Sequence, residues 1–214
     1  DSTNNQAIGA VANDGTIVPL SQLAPDMISL LAQWEELRPE AERCVNERKA
    51  AIAQGDVRLL APVPRPGKIF AIGLNYADHV EETGMETPQN QIWFSKASTA
   101  VNGPYDPVQI PRGSIATDYE IEMVAVVGKG GRHIAPEDAP NRIAGFCVGN
   151  DVSERMWQIK TPQFSLAKSF DTHAPFGPWI TTSDEIADPH ALTVRCLVNG
   201  ELRQNSNTRH LIFN

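Results

Sequence analysis

The sequence predicts a mostly β protein with some α, in which a small α/β region precedes a longer β-rich one. Three observations carry this reading. From Lys68 onward, short apolar runs of strand length alternate with Gly, Pro, Asn and Asp turns: KIFAIG, QIWFSK, EIEMVAVVG, RIAGFCVGN, GPWITT and LTVRCLVNGEL. The earlier residues instead carry a hairpin signal and a long stretch of helical periodicity. Between the two textures lies a proline-rich hinge, APVPRPG at 61–67. The expected division is therefore a small N-terminal domain over residues 1–60 and a second domain over 61–214.

The elements follow in order. AIGAVANDGTIVPL reads as two short strands around Asp14-Gly15, a dipeptide that suits a tight hairpin turn. APDMISLLAQWEELRPEAERCVNERKAAIAQG is helical, with a break expected at Pro39 and a glycine stop at Gly55. Met27, Leu30, Leu31 and Trp34 fall at i, i+3, i+4 and i+7, the spacing of a packing face rather than a ligand site. In the second region, residues 123–127 are apolar and mostly β-branched and are bounded by Gly128, which predicts a buried strand. GFCVGND predicts another, ending in Asn150-Asp151. No internal repeat or low-complexity segment interrupts the pattern.

The 214 residues are enough to bury a sizeable core, and 41% apolar with 21% charged residues is ordinary for a globular protein. A net charge of −8 argues against a general nucleic-acid or anionic-membrane binder, which would need a basic patch. Cys44, Cys147 and Cys196 are far apart and form no C-x-x-C pair. They read as free thiols in a reducing compartment, hence a cytoplasmic protein, rather than as a disulfide or zinc framework. No apolar run approaches transmembrane length, and the opening DSTNNQ has none of the features of a signal peptide. The chain starts at Asp1 without an initiator methionine, which leaves a removed leader open.

Four pieces of the second region can carry chemistry. In DYEIEMVAVVG (118–128), Glu120 and Glu122 share one strand face, roughly 6–7 Å apart along the chain. Carboxylates that close repel, so one is protonated, a cation lies between them, or both face water. Alone, such a pair is most often the solvated face of an edge strand. Asp151, at the end of a second strand, adds a third carboxylate, and an all-oxygen set of this kind suits Mg²⁺ first, with Mn²⁺ or Ca²⁺ as alternatives. In GLNYADHVEETG, His79 and Glu82 are spaced to share one side of a helical turn, where a carboxylate fixes an imidazole as a general base. The plainer reading is a charged surface turn, although Gly73 and Gly84 suggest a segment able to move as a lid. In SLAKSFD, Lys168 follows an apolar run, and a lysine drawn toward a core needs an anionic partner. An ordinary surface lysine is the plainer alternative.

KIFAIGLNYADHVEETG, DYEIEMVAVVGKGGR, GFCVGNDVSERMWQ, LAKSFDTHAPFGPWI and LTVRCLVNGELRQNSNT, taken together and in this order, resemble the fumarylacetoacetate hydrolase superfamily from about Lys68 to the last residue. The opening region is more loosely similar to the small N-terminal domain of its bacterial dioate isomerase, decarboxylase and diketo-acid hydrolase branches. The resemblance implies a mixed β-roll core, usually in a homodimer, with Glu120, Glu122 and Asp151 holding a divalent metal. It further implies that His79 and Glu82 position or activate water, that Arg155 and Gln158 hold the substrate's carboxylate and oxo groups, and that Lys168 steadies developing negative charge. A glycine-rich segment with a Thr-Gly-Thr-Pro loop is expected beyond TRHLIFN.

The implied activity is Mg²⁺-dependent hydrolysis of a carbon–carbon bond in a 2,4-dioxo acid of the acylpyruvate type, through a metal-bound enolate. An oxaloacetate-type decarboxylase or a hydroxymuconate-type isomerase would use the same platform, and a catalytically silent relative would keep the carboxylates for stability alone. The expected partners are a small dioxo or hydroxy-dienoic acid and a second copy of the chain, with neither nucleic acid nor membrane.

Overall fold

A computed structural model describes residues 6–214; the first part of the DSTNNQ opening lies outside the described residues. Strands β1 (Gly9–Val11) and β2 (Ile17–Pro19) pair antiparallel, with Ala10 opposite Val18. The turn between them forms as its sequence requires. Asp14 accepts hydrogen bonds from the backbone N–H and hydroxyl of Thr16 at 3.1 and 2.8 Å, and Gly15 takes a φ of +82°.

The helical stretch is interrupted at Gln33, not at Pro39. Helix α1 (Met27–Ala32) starts on Asp26, whose side chain accepts from Ser29 N at 2.7 Å. Helix α2 (Trp34–Asn46) runs through Pro39. A proline inside a helix removes one hydrogen bond and crowds the carbonyl four residues back. Here Ala41 and Cys44, just beyond it, are buried in a cluster with Ala12, Val18, Leu20, Ala24 and Leu30, and this packing outweighs the local cost. Met27 and Trp34 pack against the same cluster, as their spacing predicts. The helix ends at Asn46, well before Gly55, and the chain departs through Arg48 and Ala50, both at φ +52°.

The β-rich part begins with β3 (Ile69–Gly73), α3 (Ala77–Thr83), β4 (Ile92–Lys96) and β5 (Val101–Asn102). Strands β6 (Thr117–Asp118), β7 (Ile121–Val127), β8 (Ile143–Asn150) and β9 (Ser153–Glu154) follow, then short helices α4 (Arg155–Gln158) and α5 (Ser165–Lys168). Strands β10 (Ala174–Thr182), β11 (Thr193–Val198) and β12 (Glu201–Asn207) complete the order. A four-stranded sheet runs β5-β10-β8-β7, with β5 parallel to β10 and the other pairs antiparallel. The pairs β3-β4, β6-β9 and β11-β12 form two-stranded sheets around it. Where β8 meets the irregular stretch of β10, a Cβ on Gly145 would collide with the Thr181 carbonyl, so only glycine admits that approach.

Strand β7 differs from the buried strand its composition suggests. It is the edge of the four-stranded order, and Val127 is 61% exposed, as Val148 on β8 is 53% exposed. Its importance lies in register. Ile121 faces Asn150 and Glu122 faces Gly149, and the pairing extends past both strand ends. Glu120 N donates to the Asn150 side chain at 2.9 Å, and Asp151 N donates to the Glu120 carbonyl at 2.8 Å. This brings Glu120 and Asp151, thirty-one positions apart in the chain, side by side.

Truncating Leu20, which is 2% exposed, to alanine should lower stability by about 2–4 kcal/mol, whereas Ile28→Ala, at a position 52% exposed, should stay within about 0.5 kcal/mol. Urea unfolding of the two variants measures the contrast.

Candidate active site

The end of β7, the β8–β9 turn and α5 meet around one lysine. Lys168 is 2% exposed, and its ammonium lies 2.7 Å from Glu120 Oε2 and 2.7 Å from Asp151 Oδ2. The sequence expectation of an anionic partner is met twice. Lys96, at the end of β4, approaches the other oxygen of Asp151 at 2.5 Å and donates to the Val152 carbonyl at 3.2 Å. Arg155, at the start of α4, lies 2.5 Å from Glu120 Oε1 and grips Asp118 through Nε at 2.9 Å and Nη2 at 2.8 Å. The same Nη1 that meets Glu120 also donates to Gln158 at 2.8 Å. Phe94 lies with its ring centroid 5.0 Å from the Lys168 ammonium, adding an aromatic wall.

Charge is distributed unevenly over this cluster. Glu122 is pushed up to about 8, first by burial and then by the charges of Glu120 and Asp151, with Lys168 opposing. Lys96 is lowered, chiefly by burial and further by Lys168, against the pull of Asp151 and Glu120. Arg155 is raised: burial is the largest influence and opposes this, but Glu120 and Asp118 together overcome it. With Glu122 protonated, the ionised acids Asp118, Glu120 and Asp151 balance Lys96, Arg155 and Lys168.

The expected metal set is assembled in composition but not in ligand geometry. Among the described residues, no group of three or more His, Cys, Asp or Glu side chains is gathered to hold a metal ion. The physical reason is Lys168, whose ammonium fills the space between Glu120 and Asp151. The donor set still fits a hard divalent cation. All three side chains are carboxylates, and Glu122 is held neutral first by desolvation and then by its negative neighbours, an unfavourable state that a dication would relieve.

His79 and Glu82 both lie on α3, as their spacing predicts, but are only loosely paired at 3.8 Å between Nδ1 and Oε2, with side chains 46% and 82% exposed. The segment expected to move as a lid is helical here over Ala77–Thr83. It buries Val80 and ends on Gly84 at φ +66°. Tyr76, just before α3, is raised by burial and then by the charges of Glu122 and Asp78, which brings the helix start near the cluster.

Sequence reasoning passed over Lys96, Asp118 and Tyr76. Lys96 carried the same signal as Lys168, a lysine closing an apolar run (QIWFSK). Asp118 opened the very stretch that holds the glutamate pair. A buried polar layer behind the turn was also missed. It comprises Glu154, 1% exposed and bonded to Ser114 and Thr117, and His173, fully buried with Nε2 3.1 Å from the Gln109 carbonyl.

A β-rich fold with a buried knot of lysines, arginine and carboxylates at a strand end defines a recognisable class. Residues 68–214 match the family described as fumarylacetoacetate (FAA) hydrolase, C-terminal. The chain belongs to the fumarylacetoacetate hydrolase family, and its fold is of that type. Over 204 residues it is 43% identical to the oxaloacetate tautomerase Fahd2a, mitochondrial, of Rattus norvegicus, a match covering 93% of this chain and 65% of that protein. The chain thus spans just under two thirds of that relative's length. Maleylpyruvate hydrolase from Sphingobium sp. SYK-6, solved with manganese(II) and pyruvate, superposes with a TM-score of 0.82 at 32% identity, covering 98% of this chain and 76% of that one. The 5-carboxymethyl-2-hydroxymuconate delta-isomerase from Mycobacterium smegmatis gives 0.67 at 40% identity, covering 75% and 62%. These relatives are named as enzymes of three kinds: tautomerase, hydrolase and isomerase. No helix among the described residues is long and apolar enough to cross a membrane.

Lys168→Met should destabilise the protein by roughly 3–5 kcal/mol, because two carboxylates lose their buried counter-ion, and adding Asp151→Asn should restore part of the loss. Urea melts of the single and double variants test this. Glu122 has a second, pH-dependent signature. Its folded value of about 8 exceeds the ordinary 4.5, so in that window the folded state holds a proton the unfolded chain has lost, and stability falls as pH rises. Glu122→Gln should flatten that fall in metal-free protein. Its advantage in thermal midpoint should grow from pH 5 to pH 8 and vanish below about pH 4.5.

Proposed function

We propose that this chain carries the catalytic site of a divalent-metal-dependent enzyme that interconverts keto and enol forms of a small 2-oxo dicarboxylic acid of the oxaloacetate type. The observation that carries the reading is the cluster itself: Lys96, Lys168 and Arg155 converge on Glu120 and Asp151 beside a half-buried, neutral Glu122. Such a site is built to accept an anion with charge developing on oxygen. The name of the rat relative, an oxaloacetate tautomerase, supports the same substrate class.

Glu120, Glu122 and Asp151 would hold the metal, with Mg²⁺ or Mn²⁺ the best-suited ions; manganese accompanies the Sphingobium relative. When bound, the metal would supply Lewis-acid polarisation of the 2-oxo group. Lys168, released from one carboxylate, would face the oxygen on which negative charge grows. Arg155, held in orientation by Asp118 through Nε and Nη2, would offer a substrate carboxylate the Nη1 that now meets Glu120 and donates to Gln158. His79, with Nδ1 toward Glu82, would move the proton at the carbon next to the oxo group through Nε2. The reaction redistributes one proton between carbon and oxygen and needs no attacking water.

Hydrolysis of an acylpyruvate is the second reading. It is favoured by His79 and Glu82 standing together on α3 and by the maleylpyruvate hydrolase likeness. Both readings take the protein as a homodimer, and the three free cysteines accord with a reducing, cytoplasmic setting.

The deciding assay follows ultraviolet absorbance of enol-oxaloacetate and of several acylpyruvates with Mg²⁺ or Mn²⁺. Faster enol decay with intact acylpyruvate is the expected result; acylpyruvate cleavage with no effect on oxaloacetate would transfer the assignment to hydrolysis. Glu122→Ala should abolish either activity. His79→Ala should lower the rate about 10²–10⁴-fold while leaving metal affinity nearly intact. Metal binding at pH 7 should release about one proton, from Glu122, so the calorimetric binding enthalpy should depend on the buffer's ionisation heat. Buffer-independent heats would remove Glu122 from the ligand set.

A further inference from the structure

Helix α3 carries a second carboxylate–imidazole pair, and it is better made than the first. Asp78, in the first turn, accepts from the Ser206 hydroxyl at 2.6 Å and pairs with His210 Nδ1 at 2.9 Å, both at the same oxygen. Its other oxygen is buried without a partner. Hydrogen bonds from Ser206 and His210 outweigh the effect of burial and hold this carboxyl below its usual range. The His79–Glu82 approach, at 3.8 Å, is beyond hydrogen-bond reach.

The surrounding backbone is joined in the same sense. Ile212 N donates to the Asn75 carbonyl at 2.8 Å, and the Asn75 side chain both accepts from Phe213 N at 2.8 Å and donates to the Phe213 carbonyl at 3.1 Å. Tyr76 bridges to Leu211. Residues 75–78 are therefore clamped by residues 206–213. The helix has little else to hold it. It is seven residues long, its N-cap Tyr76 offers no side-chain hydrogen bond, and Val80 is its only buried residue. A helix of that length does not persist by itself.

We infer that Asp78 is a positioning residue: through Ser206 and His210 it fixes the start of α3, and so the direction in which His79 is presented to the cluster around Glu122. The inference rests on the reading of His79 as the proton carrier. His210 serves as a donor to Asp78 and not as a base, which makes its geometry, rather than its titration, the functional property.

The test replaces His210 in two ways. Asparagine puts an amide nitrogen on the same carbon from which histidine offers Nδ1, so His210→Asn keeps the donor and loses the imidazole. His210→Leu, combined with Ser206→Ala, loses both bonds to Asp78. Hydrogen exchange should show amides 80–84 exchanging at least about tenfold faster in the Ser206→Ala/His210→Leu protein, with β7 and β8 amides unchanged, so that local release is told apart from global unfolding. With substrate and metal, kcat should fall roughly 10–100-fold with KM altered less than about twofold, as expected of a displaced proton carrier. His210→Asn should restore both. Unchanged α3 exchange in the double variant overturns the inference, as does a His210→Asn protein that is protected in α3 but as slow as the double variant. If no tested acid is turned over, the exchange measurement still decides the clamp, and only the functional reading fails.

Discussion

A lysine ammonium almost wholly removed from water is the constraint on which this structure depends. Lys168 cannot be charged and buried without negative partners, and Glu120 and Asp151 provide them at hydrogen-bond distance. Those carboxylates are then themselves buried anions, and Lys96 and Arg155 answer them from other elements. The arrangement is a chain of alternating charge, Lys96, Asp151, Lys168, Glu120, Arg155 and Asp118, in which the four inner groups each meet two opposite charges. Glu122 is the exception: burial first, and then the charges of Glu120 and Asp151, raise it to about 8 against the pull of Lys168, so it keeps its proton.

This arrangement is assembled by β-sheet register. Glu120 and Asp151 become neighbours because β7 and β8 are aligned with Ile121 opposite Asn150, and a slip of one residue would send Glu122 and its companions to the other face. The Asn150 side chain extends the ladder by one bond at the point where the regular strands end. The Asp151 turn is then closed by Ser153, whose hydroxyl donates to the Asp151 carbonyl at 2.8 Å. The turn therefore presents Asp151 inward and Arg155 alongside it.

The sequence made the principal strands legible because their apolar runs are short and cleanly separated. It made Glu120, Glu122, Asp151 and Lys168 legible because charge at the end of an apolar run is physically costly and so conspicuous. Lys96 carried the same signature and was passed over, since Ser95 stands between it and the apolar Ile92-Trp93-Phe94. The helix break could not be read from local propensity: Pro39 looks like the stop, yet packing of Ala41 and Cys44 carries the helix through it. The exposure of β7 was equally hidden, because strand order, and not strand composition, puts it at a sheet edge. The ties between α3 and residues 206–213 span 128–138 positions, a range over which periodicity says nothing.

That same span has a consequence for how the protein comes into being. A ribosome that has just made Asn75 must add 138 further residues before Phe213 exists to meet it, about 7–28 s at ordinary elongation rates. Throughout that interval the seven residues of α3 have neither their cap nor their clamp, while the hairpin and helices of the first 46 residues already have every partner of their own cluster. The clamp on α3 can therefore form only after residues 206–213 exist, long after the first core has met its own partners.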